Sequence, residues 1–208
     1  MQNGDKSIFP SNPKGLKINP SPFTCQPNPI KTSKVEKMPL LPLDGNFIFS
    51  KTPWLSWDEL LFGFQRGYVD EKGISHFACN TLTTASSEKA YELASLEPHE
   101  LYLTSDLLQS LTSKNPQTEK EIYKPWIYLL LSYFLENKNS LSNPLEVTEE
   151  LYADFDYPGE ISPIVRYMPI PDGVEGSEER LYENWRLAIL EYKALFSCER
   201  DCIPPTTT

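Results

Sequence analysis

Proline decides where this chain can be helical. Its ring fixes φ and removes the backbone N–H, which opposes a helix interior and a central strand alike. Of the 19 prolines, Pro10, Pro13, Pro20, Pro22, Pro27, Pro29, Pro39 and Pro42 fall in the first stretch, before Asp44. Residues 1–45 are therefore expected to form an extended or disordered leader, either a linker, a loosely docked arm or a ligand for a proline-binding module. Beyond it, proline falls where helices start or stop. Residues 46–200 read as one helical domain, followed by a flexible tail at 201–208.

Within that domain the helix signals are local and repeated. Ser56 with Glu59 makes a capping box, and Trp57, Leu60, Leu61 and Phe64 recur at helical spacing up to Gly67. Ile74, Phe77, Ala78 and Leu82 give a second stripe. Ser86 is expected to cap a third helix through Ala90, Leu93 and Ala94, and Pro98 suits the first turn of a fourth carrying Leu101, Leu107, Leu108 and Leu111. Thr118 and Glu121 form another capping-box pattern, but Pro125 follows too closely, so the helix is expected to restart there with Trp126, Leu129, Leu130, Tyr133 and Phe134 as a broad buried face. Asn143, Pro144 and Glu146 open the next, with Thr148, Leu151, Tyr152 and Phe155 on one side. Proline and glycine make 158–176 a structured loop or a short turn of helix. Ser177 then caps a last helix whose buried stripe is Leu181, Trp185, Ala188, Tyr192 and Leu195. The expected fold is all-α, an irregular bundle of about seven helices.

Charge and composition exclude several functions. The leader has six lysines against Asp5, Glu36 and Asp44, and the whole chain has a formal charge of −10, so the body is strongly acidic. Such a surface repels nucleic acid and favours encounter with a basic protein. The longest apolar run, Trp126 to Leu135, is far short of the ~20 residues needed to cross a bilayer, and no secretory signal opens the chain, so a cytoplasmic protein without membrane attachment is expected. The four cysteines, Cys25, Cys79, Cys198 and Cys202, fit reduced thiols; Cys198 and Cys202 could supply two zinc ligands, but no second close pair completes the set. There is no dinucleotide or phosphate-binding glycine loop, no zinc-protease helix and no serine-nucleophile elbow. His76 and His99 both stand in ordinary helical contexts, so no catalytic residue, cofactor or metal is assigned.

The most distinctive segment is Leu151-Tyr152-Ala153-Asp154-Phe155-Asp156-Tyr157-Pro158-Gly159-Glu160, continuing to Val165-Arg166-Tyr167-Met168-Pro169. Asp154 and Asp156 diverge by roughly 200° on a helix, so they can act together only if the helix ends between them. Three readings are open. Asp154 or Asp156 could form a buried pair with Arg166; the acids and tyrosines could receive a basic partner; or Asp154, Asp156 and Glu160 could hold a divalent cation in a carboxylate-dependent enzyme.

The Trp54/Trp57 opening with Asp58-Glu59-Leu60, the Trp126 helix, the Leu145 to Pro158 segment and Arg166-Tyr167-Met168-Pro169 resemble an uncharacterised bacterial domain family associated with polymorphic-toxin and contact-dependent growth inhibition loci. The likeness runs from Trp54 to Phe196. It implies an immunity protein, cytoplasmic and non-enzymatic, that neutralises one cognate toxin. With the acidic charge, the expected partner is a basic protein toxin, met by a surface of Asp154, Asp156, Tyr157, Glu160, Arg166, Tyr167, Glu175, Glu178 and Glu179. A carboxylate-dependent metal-binding enzyme and a structural adaptor with a merely solvated acidic face are the alternatives.

Overall fold

The computed structural model describes residues 40–113, 122–170, 172–173 and 175–200. Among them the chain is helical throughout, and the only β feature is an isolated bridge between Leu43 and Val69. The helices are α1 (Gly45–Lys51), α2 (Trp57–Gln65), α3 (Glu71–Thr81), α4 (Glu88–Ala94), α5 (Thr104–Leu111), α6 (Lys124–Glu136), α7 (Pro144–Asp154) and α8 (Glu178–Arg200). Short 3-10 turns at Leu101–Leu103, Lys138–Ser140 and Gly159–Ile164 connect some of them. The architecture is the expected irregular all-α bundle.

Side-chain caps set most of the starts. Ser56 and Glu59 satisfy each other's backbone N–H groups in a complete capping box on α2, Asp70 Oδ1 accepts from Gly73 N at 2.8 Å on α3, and Ser177 Oγ accepts from Arg180 N at 3.2 Å on α8. Pro125 and Pro144 occupy first turns of α6 and α7, where a missing N–H costs nothing, so the restart at Pro125 is real. The Thr118–Glu121 pattern lies outside the described residues.

Two starts differ from the sequence pattern. The cap of α4 is Ser87, whose Oγ accepts from Ala90 N, while Ser86 Oγ accepts from Thr83 N and closes the preceding turn. Pro98 lies in a turn closed by Glu100 N to Glu97 O and Glu97 N to the Glu100 carboxylate, so the apolar run passes first through a 3-10 turn and becomes α5 only at Thr104. One helix went unread: α1 begins at Gly45, capped by Asp44 Oδ1 on Asn46 N at 2.8 Å. Leu43, 1 % exposed, belongs to the core with it.

The core is built around α6. Residues Pro125–Ser132 and Phe134 are all buried on it. Trp126 is fully buried and donates its indole N–H to Glu59 O at 2.6 Å, which joins α6 to α2. Trp185 does the same from α8 to Leu131 O at 3.1 Å. Burial of such a side chain stabilises the fold by up to ~3 kcal/mol, and the hydrogen bond removes the cost of burying its polar end. Glycine permits two close approaches: a Cβ on Gly63 would lie 1.8 Å from the Trp126 ring, and one on Gly45 would lie 1.9 Å from Gly73 O, where α1 crosses α3. Tyr68 packs between Trp126 and Phe155, with ring centroids at 5.7 and 5.8 Å, and so ties the end of α2 to the end of α7.

Candidate functional site

The end of α7 shapes the distinctive segment. Phe155 is its C-cap and is 6 % exposed, so the chain is anchored there by an aromatic ring. The next two residues, Asp156 at φ 58° and Tyr157 at φ 62°, are both left-handed, a conformation that costs a residue with a Cβ roughly 1–2 kcal/mol. Tyr157 N donates to Tyr152 O at 2.8 Å, which closes this reversal. Pro158, Ile161, Ile164 and Val165 then pin the 3-10 turn and its exit against the core, chiefly against α8. The chain thus returns across α7, and Tyr152 Oη points to Met168 Sδ at 4.0 Å.

This return brings Arg166 to α7 at Glu149, not at either expected aspartate. Its Nε and Nη2 donate to the two carboxylate oxygens at 2.7 and 2.9 Å, a bidentate pair. The expected buried pair of Arg166 with Asp154 or Asp156 is therefore not formed. The physical reason is helical register: Glu149 lies one turn before Tyr152 on the face crossed by residues 165–168, whereas Asp154 ends α7 among Arg66 and Tyr68 of the α2 end, and Asp156 lies beyond the helix. The pair is also not buried, since the Arg166 side chain is 42 % exposed.

Electrostatics follow from these placements. The Arg166 hydrogen bonds hold the Glu149 carboxyl below its ordinary range, and the carboxylates of Glu149, Glu146 and Glu178 in turn hold the guanidinium charged. Burial pushes the Asp154 carboxyl upward, partly offset by Arg66. Burial, with the Asp154 charge, raises the Tyr68 phenol to about 12. The Tyr167 phenol is raised by desolvation and by its neighbours Tyr152, Glu149 and Tyr157.

The predicted surface residues are all exposed, but they do not form one patch. Tyr157 and Tyr167 both lean on the buried Tyr152 ring, at 5.1 and 6.4 Å between centroids. Arg166 and Glu178 border a cleft of about 720 Å³ between the 165–170 segment and the start of α8, with Leu145, Met168, Ile170 and Leu181 as its apolar lining and Arg180 at its edge. Glu175 and Glu179 flank that helix start, and the Glu175 carbonyl accepts from Arg180 Nη1 at 3.5 Å. Asp154 belongs instead to the Arg66–Tyr68 cluster, and Glu160 acts on Tyr192 of α8.

Sequence reasoning missed Glu149, Glu146 and Ile170. Glu149 and Glu146 are ordinary helix-surface residues by pattern, and only the path of the returning segment selects them. Among the described residues no three His, Cys, Asp or Glu side chains converge as a metal site, Asp154, Asp156 and Glu160 included. The Cys198 thiol is exposed, and Cys202 lies outside the described residues. His76 Nδ1 is 3.4 Å from Asp44 Oδ2, a surface contact beside the α1 cap, and His99 is exposed. No described helix is long and apolar enough to cross a membrane.

No curated protein and no solved structure shows significant similarity to the chain. A family model does match, over residues 46–191, from α1 well into α8; its description is "uncharacterized protein conserved in bacteria (DUF2247)". With most of the folded body inside that match, the chain belongs to the DUF2247 family of bacterial proteins.

Proposed function

We propose that this protein is a binding protein that acts by covering a basic protein partner, and that the partner is a cognate bacterial toxin which it neutralises in the cytoplasm as an immunity protein. The observation that carries the binding role is the set of large exposed side chains between 157 and 170: Tyr157 at 58 % and Tyr167 at 61 % exposure lean on Tyr152 near Glu149, and Ile170 at 50 % exposure borders the cleft with Glu178. Tyrosine supplies large contact area at low entropic cost, and a carboxylate rim steers a basic partner to it. The choice of a toxin rests on the sequence resemblance to an uncharacterised bacterial domain family associated with growth-inhibition loci. Asp156 precedes Tyr157, Arg166 borders the cleft and Glu175 and Glu179 flank the start of α8 beside it, whereas Asp154 and Glu160 lie apart, at the Arg66–Tyr68 cluster and by Tyr192 of α8.

Co-expression with the product of the adjacent gene, tested as the toxin, is the direct experiment. Co-purification of the two, with protection of susceptible cells lost on Tyr157→Asp or Tyr167→Asp, is the expected result. A toxin that stays free and active in the presence of the folded protein would remove the reading.

A further inference from the structure

The exposed tyrosines narrow the chemistry of the partner. Tyr157 and Tyr167 each lean on one buried ring, Tyr152, which is 7 % exposed, so the outer rings stand on a fixed base and keep more than half their surface in water. Desolvation raises the Tyr167 phenol, together with the Tyr152 and Tyr157 hydroxyls and the Glu149 carboxylate. Arg166 forks onto Glu149, while Glu146 and Glu178 act on the same guanidinium from farther off, and the neighbouring Arg180 is turned to the Glu175 carbonyl. Aromatic faces in a field with unmatched negative charge attract a cation. Two successive left-handed residues hold Tyr157 in this position, a backbone cost that the loop sustains while leaving the ring outside the core.

We propose that Tyr157 and Tyr167 form a shelf for a single cationic side chain, arginine or lysine, projecting from the partner. The inference rests on the protein-binding role above and adds what the shelf recognises. The cation lies against the ring faces, so the π-systems, not the hydroxyls, hold it, and the carboxylates in excess of Arg166, Glu146 and Glu178, supply the surrounding negative charge. Arg166 keeps Glu149 in place and is a positioning residue for the shelf.

An acetylated and amidated tri-arginine peptide, titrated into the full chain and followed by the tyrosine ring resonances, tests this without any toxin. The Tyr157 and Tyr167 signals should move, and Tyr157→Leu or Tyr167→Leu should each weaken binding about two- to fivefold, the range for one exposed cation–π contact. Tyr157→Phe should bind as the parent does. Thermal unfolding verifies that each variant is folded, and Tyr167→Leu provides a second reading should Tyr157→Leu disturb the reversal. Unchanged affinity in the folded leucine variants means that net charge alone attracts the peptide, and overturns the shelf. Co-purification of a toxin by a chain whose rings ignore the peptide would likewise overturn the shelf and leave the inhibitor role standing; ring-dependent peptide binding supports the shelf even where no toxin is captured.

Discussion

Glu149 shows how much a single position decides. Its carboxylate receives two donors from Arg166 and is held below its ordinary value of 4.5. A carboxyl with a lowered folded pKa contributes stability above 4.5 that is lost as pH falls through the folded value. Glu149→Gln should therefore unfold more easily than the parent at neutral pH, and the difference should close on acidification, as measured by urea unfolding across pH 2 to 7. The gap should stay under about 1 kcal/mol, because Arg166 is well exposed and water screens the pair. None of this was legible in the sequence: Glu146, Glu149 and Glu150 look alike along α7, and the partner lies 17 residues away on a segment whose path depends on how Ile161 and Ile164 are buried. The tyrosines and Arg166 were legible as a group; their arrangement around Tyr152 was not.

At the scale of the element, sequence and structure agree best where the signal is local. Ser56 with Glu59 and Ser177 mark helix starts through bonds spanning three residues, Pro125 and Pro144 mark them by a fixed φ and a missing N–H, and the stripes of α2, α3, α6, α7 and α8 repeat for long enough to be read. The α1 helix has only seven residues and two buried ones, too few to establish a period, although Asp44 was there as its cap. Removing the α2 cap in Ser56→Ala should cost about 1 kcal/mol in chemical denaturation. Gly63→Ala tests a conflict between two effects on the same helix. Alanine in place of glycine favours a helix by up to about 1 kcal/mol, but the added carbon would overlap the Trp126 ring, which is fully buried and pinned to Glu59 O. The clash wins, and the variant should lose about 1–3 kcal/mol by the same measurement, as overpacked cores do.

Over the whole molecule, one core links helices from both halves of the described chain, so stability should respond to pH as a unit. Tyr68 stands at its centre, 4 % exposed and in contact with Trp126 and Phe155. Its phenol is raised from 10.0 to about 12, so the fold favours the neutral form. That contribution is complete below pH 10 and is lost as pH rises through 12, amounting to roughly 2–3 kcal/mol. Thermal stability should therefore fall above pH 10, and Tyr68→Phe should be less sensitive there than the parent despite any change in its neutral-pH midpoint.

The Arg166 fork, finally, makes a closed loop of everything between α7 and the Tyr167 turn, because its two anchors are Glu149 on the helix and the arginine on the returning strand of chain. Opening that clasp would release both outer rings in one motion, so amide exchange at Tyr157 and Tyr167 should quicken in parallel in Arg166→Met. The loop's fastening and the fixed stance of its two exposed rings are then the same mechanical event seen from two sides.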